Sequence, residues 1–224
     1  LKPDLFITDI TFSNDTPVQG DSVLITVSVG TNGLFYDTFE VAIYADAIDK
    51  AHHIGSGYIE HSPIKEPKVS VLFFTNDYGG VHEIIAIADP DDNIDEANEG
   101  NNEMRKEIIV LTVDYLINSA VETIDELGSS HHLDMAVFWL ERAQIEYHNS
   151  RIDKAVEYLH RAVDEIWLAG KYEDIIDSII DAMWVAVRDE PAKEIADVME
   201  MIVHIRTAYD LTGPADELLA NALQ

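Results

Sequence analysis

The chain has 224 residues, of which 47% are hydrophobic, and it carries 43 Asp and Glu against 14 Lys and Arg, a formal net charge of −29. This length and apolar content suffice for one large core or two of ordinary size, whereas the acidic surface argues against nucleic-acid and peripheral membrane binding. The sequence contains no cysteine and no run of roughly eighteen apolar residues, which excludes disulfides, thiolate catalysis, Cys-type zinc sites and a membrane-spanning helix.

The N-terminal half has the pattern of β-strands, because apolar residues recur at every second position or in short runs bounded by turn residues. We predict seven strands, at Asp4–Phe12, Ser22–Val29, Thr38–Asp46, His53–Ile59, Lys68–Thr75, Gly80–Ala88 and Met104–Thr112. Seven short strands without helical patterns between them predict an immunoglobulin-like antiparallel β-sandwich over residues 1–112.

The C-terminal half, residues 113–224, has helical spacing of its apolar residues. The first predicted helix has Thr112 or Asp114 as its N-cap and ends at Gly128. The others are predicted at His132–His148, Ile152–Ala169, Tyr172–Arg188, Pro191–Tyr209 and, as a short last piece, Ala215–Leu223. Five to six helices with short connections predict an all-α helical bundle, so the fold class is a multidomain β + α chain.

The segment Ala88–Glu103, called the acidic segment below, holds seven carboxylates and four asparagines in sixteen residues. Its first acidic residues match alternate positions of an EF-hand loop, but Ile94 replaces the diagnostic glycine and Gly100 replaces the final glutamate. A calcium site of another geometry is left open as a minority hypothesis, with the candidate metal ligands Asp89, Asp91, Asn93, Asp95 and Glu99.

A structural role for the acidic segment is the favoured hypothesis. Asp and Asn side chains bond nearby backbone groups, so the segment would form a turn-rich crossover before the last strand. Glu96 and the residues Asn98–Asn102 would then serve the fold. The overall acidity has two further explanations, a well-solvated surface and adaptation to high salt.

No catalytic residue or bound cofactor is predicted. The sequence has no Gly-rich phosphate loop and no nucleophile elbow, and its nine histidines do not form the His-Glu-x-x-His spacing of a helical zinc site. Four aromatic residues could form a sugar-stacking surface, although helical spacing favours a core position for Trp139, Trp167, Trp184 and Tyr147.

Several stretches of the N-terminal half carry strand starts, turns and the acidic segment in a recognisable order: Pro3-Asp4-Leu5-Phe6-Ile7, Gly20, Asn32-Gly33, Val41-Ala42-Ile43-Tyr44, Gly80 to Asp89, Asn93 to Glu99 and Asn101-Asn102. Together they resemble the CARDB family, the cell-adhesion-related domain of prokaryotic surface proteins, over about residues 2–111. One departure is Gly30, where many members carry Asn.

This resemblance implies an extracellular, immunoglobulin-like module of archaeal or bacterial envelope proteins without catalysis of its own. We therefore expect a non-enzymatic fragment of a cell-surface or secreted protein with a structural, adhesive or protein-interaction role. The alternative is an accessory module that binds polysaccharide or another ligand for a larger secreted enzyme or envelope complex. The expected partners are other envelope proteins or polysaccharide, with no nucleic acid and no direct membrane insertion.

Overall fold

The computed structural model describes residues 2–32, 38–60, 67–170, 172–188, 190 and 192–209. The chain forms two compact units, Leu1–Leu111 and Thr112–Gln224, called here the N-terminal unit and the helical unit. The sequence had suggested a division one residue later. Each unit has a hydrophobic core of its own.

The N-terminal unit contains seven described strands, as predicted. They are β1 (Asp4–Phe12), β2 (Ser22–Asn32), β3 (Phe39–Ala45), β4 (His53–Ile59), β5 (Lys68–Phe74), β6 (Gly80–Ala88) and β7 (Glu103–Val110). β2 continues three residues beyond its predicted end because Thr31 and Asn32 pair with the start of β1. β7 ends early because Leu111 bridges to Val18 and Thr112 caps the following helix.

The strands form two antiparallel sheets, one with the order β1-β2-β5 and the other with the order β4-β3-β6-β7. Alternate residues point into the space between the sheets, so Val23, Ile25, Val27 and Val29 of β2 are all completely buried. The core continues through Phe39, Phe73 and Ile84 of other strands. The predicted β-sandwich is therefore confirmed.

One margin of the sandwich is closed by β4 and β5, the outer strands of the two different sheets. A Cβ atom added at Gly57 of β4 would lie 2.7 Å from Cγ1 of Val69 in β5. Glycine at this position therefore permits an approach of the two strands that any larger residue would prevent.

The helical unit contains α1 (Val113–Leu127), α2 (His131–His148), α3 (Ile152–Gly170), α4 (Glu173–Val187) and α5 (Ala192–Tyr209) among the described residues. Thr112 is the N-cap of α1, since its hydroxyl accepts a hydrogen bond from the Tyr115 N–H at 3.0 Å. Gly128, with φ 88°, ends that helix as predicted. The predicted helix at Ala215–Leu223 and the predicted helix start at Pro191 lie outside the described residues.

Candidate functional site

The acidic segment connects β6 to β7, and its first residues form a tight, hydrogen-bonded turn. Asp89 is 6% exposed and adopts a φ of 48°. Its Oδ2 accepts a hydrogen bond from the Ile94 N–H at 2.7 Å, and its own N–H donates to the Glu40 carbonyl at 2.8 Å. This aspartate therefore fixes the backbone of the segment, which is the behaviour expected of Asp in turns.

Glu96 ties the acidic segment to β1, a strand of the opposite sheet. Its carboxylate is 4% exposed and accepts hydrogen bonds from the Leu5 N–H and from Asn102 Nδ2, the latter at 2.8 Å. The Ala97 N–H donates to the Pro3 carbonyl at 2.7 Å, which extends the same connection. Burial raises the pKa of Glu96, while the hydrogen bonds from Leu5 and Asn102 oppose that rise.

The other candidate metal ligands lie on the surface of the same segment. Asp95 pairs with Lys2, and Glu99 accepts a hydrogen bond from the Glu96 N–H at 2.8 Å. Asp91 and Asn93 are exposed. Within the described ranges, no three His, Asp or Glu side chains converge as a metal site would require. The hydrogen bonds are those that the crossover hypothesis requires, and the calcium assignment stays a prediction.

The calcium hypothesis has a direct thermal test. If the acidic segment binds Ca²⁺, chelation with EDTA should lower the melting temperature because a ligand that binds only the folded state stabilises it. Asp91→Ala should abolish this sensitivity, and Lys154→Ala in the helical unit serves as the control that should preserve it. Identical melting curves with and without chelator in the unmodified chain would exclude the site.

The outer face of β2 and β5 is a second surface of interest, and no pattern in the sequence alone indicated it. Its side chains are those of Ser22, Leu24, Thr26, Ser28, Lys68, Ser70, Leu72 and Phe74, and we call it the β2–β5 face. Leu24 and Leu72 are register partners with exposures of 43% and 52%, and Phe74 is 59% exposed. This face therefore combines three exposed apolar side chains with no carboxylate.

The outer face of the other sheet holds an open cleft of about 390 Å³ next to the acidic segment. Tyr44 and His53 lie on one side of it, and Asp91 lies on the other. Sequence reasoning selected Asp91 as a cation ligand and missed the cleft. The signal for this row was the alternation along β3 of Glu40, Ala42 and Tyr44 with Val41, Ile43 and Ala45.

The aromatic residues considered for sugar stacking are all partly buried in the helical unit. Trp139 stacks on Tyr158, with 5.5 Å between the ring centroids, and the guanidinium of Arg161 lies 4.7 Å from the Trp139 ring. Trp167 contacts the ring of Tyr209 at 4.5 Å. These contacts give both tryptophans a packing role between helices.

Several of the described histidines each contact a single carboxylate. His132 Nδ1 is 2.7 Å from Glu165, and His148 Nε2 is 3.0 Å from Asp114. His82 Nδ1 lies 2.8 Å from Asp46 at the end of β3. Such single pairs orient side chains on the surface.

The fold defines the class of the N-terminal unit, which is an immunoglobulin-like β-sandwich with the acidic segment as the crossover between its last two strands. Within the described ranges, every helix is too short or too polar to cross a bilayer. Residues 2–106 match the CARDB family model, and the N-terminal unit is thus a CARDB domain. CARDB is a family of non-catalytic surface-protein domains.

Solved structures resemble about half of this chain. One is the CARDB domain of a Pyrococcus furiosus protein in complex with di-metal ions, at 20% identity and TM-score 0.43, covering 49% of this chain and 94% of that one. Another is a domain assigned to a cell surface protein of Methanosarcina acetivorans, at 16% identity and TM-score 0.36, covering 50% and 94%.

A third structural match is a beta-glucosidase from Listeria innocua, at 9% identity and TM-score 0.34, which covers 49% of this chain but only 16% of the enzyme. At these levels of sequence identity, the three matches concern the fold alone. No curated protein matches the chain significantly.

Proposed function

We propose that this protein has a non-enzymatic, structural role at the extracellular side of the cell envelope, in which copies of the chain associate through the β2–β5 face. Membership of the N-terminal unit in a family of surface-protein domains supports the location. The observation that carries the association is the exposed cluster of Leu24, Leu72 and Phe74 on a face without carboxylates.

The sparse charge of this face supports a second copy as the partner. Two chains that each carry a net charge of −29 repel one another over most orientations. The β2–β5 face contains one charged side chain, Lys68, and the adjoining strand β1 places the exposed Asp9 opposite Ser28 at the same end. Two copies can therefore bring together the other end, which holds the apolar cluster, without opposing these charges. Contact between the apolar clusters then removes hydrocarbon from water.

The association should be weak and should strengthen with salt. Stable interfaces bury more than about 1,000 Å² in total, and a cluster of three side chains supplies only part of that area. Salt shortens the range of the repulsion between the acidic surfaces, whereas it leaves the apolar contact intact. A surface protein gains reversible, multivalent contacts from such an interface.

Sedimentation equilibrium tests this proposal. We expect the weight-average mass to rise with protein concentration, and to rise further in molar KCl. Leu72→Ser combined with Phe74→Ser should abolish the rise, whereas Val81→Ser, which removes a 52% exposed apolar side chain from the other sheet, should leave it unchanged. A chain that stays monomeric in molar KCl would contradict the proposal. So would a Val81→Ser variant that loses its rise in mass as fully as the Leu72→Ser, Phe74→Ser variant does.

A further inference from the structure

The cleft on the outer face of the four-stranded sheet has an apolar floor and two walls. Ala42 of β3 and Ile87 of β6 are register partners and form part of the floor. One wall is the connection from β3 to β4, and the other is the start of the acidic segment, at Pro90 and Asp91. Its volume of about 390 Å³ lies near the lower end of the range of roughly 300–1,000 Å³ for small-molecule sites.

Hydrogen bonds fix both walls at their bases. Each wall begins with an aspartate of positive φ directly after a strand, Asp46 after β3 and Asp89 after β6. Asp46 Oδ1 accepts the Glu83 N–H at 2.9 Å, and Asp89 Oδ2 accepts the Ile94 N–H at 2.7 Å. Because the walls are held in this way, a ligand would meet a largely preformed cleft.

An aromatic pair lies on one side of the cleft. Tyr44 and His53 are register partners on β3 and β4, and their ring centroids are 5.2 Å apart at an interplanar angle of 55°. Burial raises the pKa of Tyr44, and the carboxylates of Glu40 and Asp91 add to that rise. The phenol therefore keeps its proton at neutral pH and can donate a hydrogen bond.

The rim supplies hydrogen-bonding groups of both kinds. Glu40 and Asp91 offer carboxylate oxygens as acceptors, and Lys50 offers an ammonium donor. A pyranose ring has an apolar C–H face that fits the floor and the aromatic side, and hydroxyls that reach such a rim. A ligand with carboxylates or phosphates would be repelled by the net charge of −29.

We propose that this cleft binds a neutral saccharide unit of a polysaccharide, with the sugar face on Tyr44 and its hydroxyls on Glu40 and Asp91. The site lies on the opposite sheet from the β2–β5 face and does not depend on association of the chain. A domain with both surfaces would link a polysaccharide to an assembly of its own copies.

Isothermal titration calorimetry of the full chain tests this site. The probes are gluco-, manno- and galacto-hexasaccharides, and the comparison ligands are a uronic-acid hexasaccharide and oligolysine. We expect at least one neutral sugar to bind and the uronic-acid sugar not to bind. Tyr44→Ala and Asp91→Asn should each weaken binding about tenfold, the effect of one lost stacking or charged hydrogen-bond contact.

Asp92→Asn is the matched control, because it removes the adjacent carboxylate at an exposed position whose φ of 52° asparagine tolerates. It should leave the affinity within about twofold of the unmodified chain. Asp91→Asn changes an exposed side chain, so it keeps the test valid even if Tyr44→Ala impairs folding. Binding of oligolysine alone, no binding of any neutral sugar, or binding that Asp91→Asn leaves unchanged would overturn the proposal.

Discussion

Glu96→Ala should lower the free energy of unfolding of the N-terminal unit by about 2–4 kcal/mol, because it leaves two buried donors without their acceptor. These donors are the Leu5 N–H and Asn102 Nδ2, and both contact the Glu96 carboxylate at a site that is 4% exposed. Glu96→Gln should cost less, since one amide oxygen can still accept, but its NH₂ group would face a donor. Asp95→Asn, which changes only the exposed pair with Lys2, should cost less than about 1 kcal/mol.

The distribution of tryptophan provides an internal control for this measurement. All three tryptophans, Trp139, Trp167 and Trp184, belong to the helical unit. Tryptophan fluorescence should therefore follow the unfolding of the helical unit, while hydrogen exchange of the β1 and β7 amides follows that of the sandwich. We expect Glu96→Ala to accelerate exchange in both strands and to leave the fluorescence transition in place. Unchanged exchange in β1 would show that the connection between segment and strand contributes no stability.

The helical unit should lose stability as the pH rises from about 4 through about 6, with the largest share from Asp181 of α4; burial raises the pKa of Asp177 as well. Burial raises the pKa of Asp181 from its usual 3.8 to about 6, and the charge of Asp177, one turn earlier, adds to that rise. Arg206 of α5 opposes the rise and bonds Asp177 at 3.4 Å. A carboxyl whose pKa is raised on folding contributes stability that is complete below pH 3.8 and is lost as the pH rises through about 6.

Asp181→Asn isolates this contribution from the other carboxylates of the chain. The difference between a pKa of 3.8 and one of about 6 corresponds to at most about 3 kcal/mol. The variant should therefore gain up to that amount over the unmodified chain at pH 7.5, and little below pH 4. Urea unfolding followed by tryptophan fluorescence measures the difference. Asp174→Asn, at an exposed position in the first turn of α4, is the control. Parallel pH profiles for Asp181→Asn and the unmodified chain would refute the assignment.

The strands and helices could be predicted because their patterns are local. The alternation from Val23 to Val29 and the stripe of Ile175, Ile176, Ile179 and Ile180 each report burial within one element. Strand ends depended on pairing, which is not local: β2 extends to Asn32 because β1 begins opposite it. The acidic segment could be recognised for the same reason, because its composition is a property of one continuous stretch of sequence.

The contacts of the candidate sites could not be predicted, since they join residues far apart in sequence. Glu96 bonds the N–H of Leu5, 91 residues earlier, and no pattern in the sequence links the two. The cleft likewise combines Tyr44 with Asp91, and the carboxylate of Asp181 acquires its environment from α4 and α5 together. The β2–β5 face becomes visible only once β2 and β5 are known to be neighbours.

The contact of Gly57 with Val69 bears on how such domains coexist in a crowded envelope. Outer strands with free backbone groups recruit strands from neighbouring molecules and seed aggregates. Here β4 and β5 lie against each other, so that neither presents a flat, isolated margin to a passing chain. Along this margin, contact between neighbouring domains is then left to side chains, which release more readily than a shared sheet.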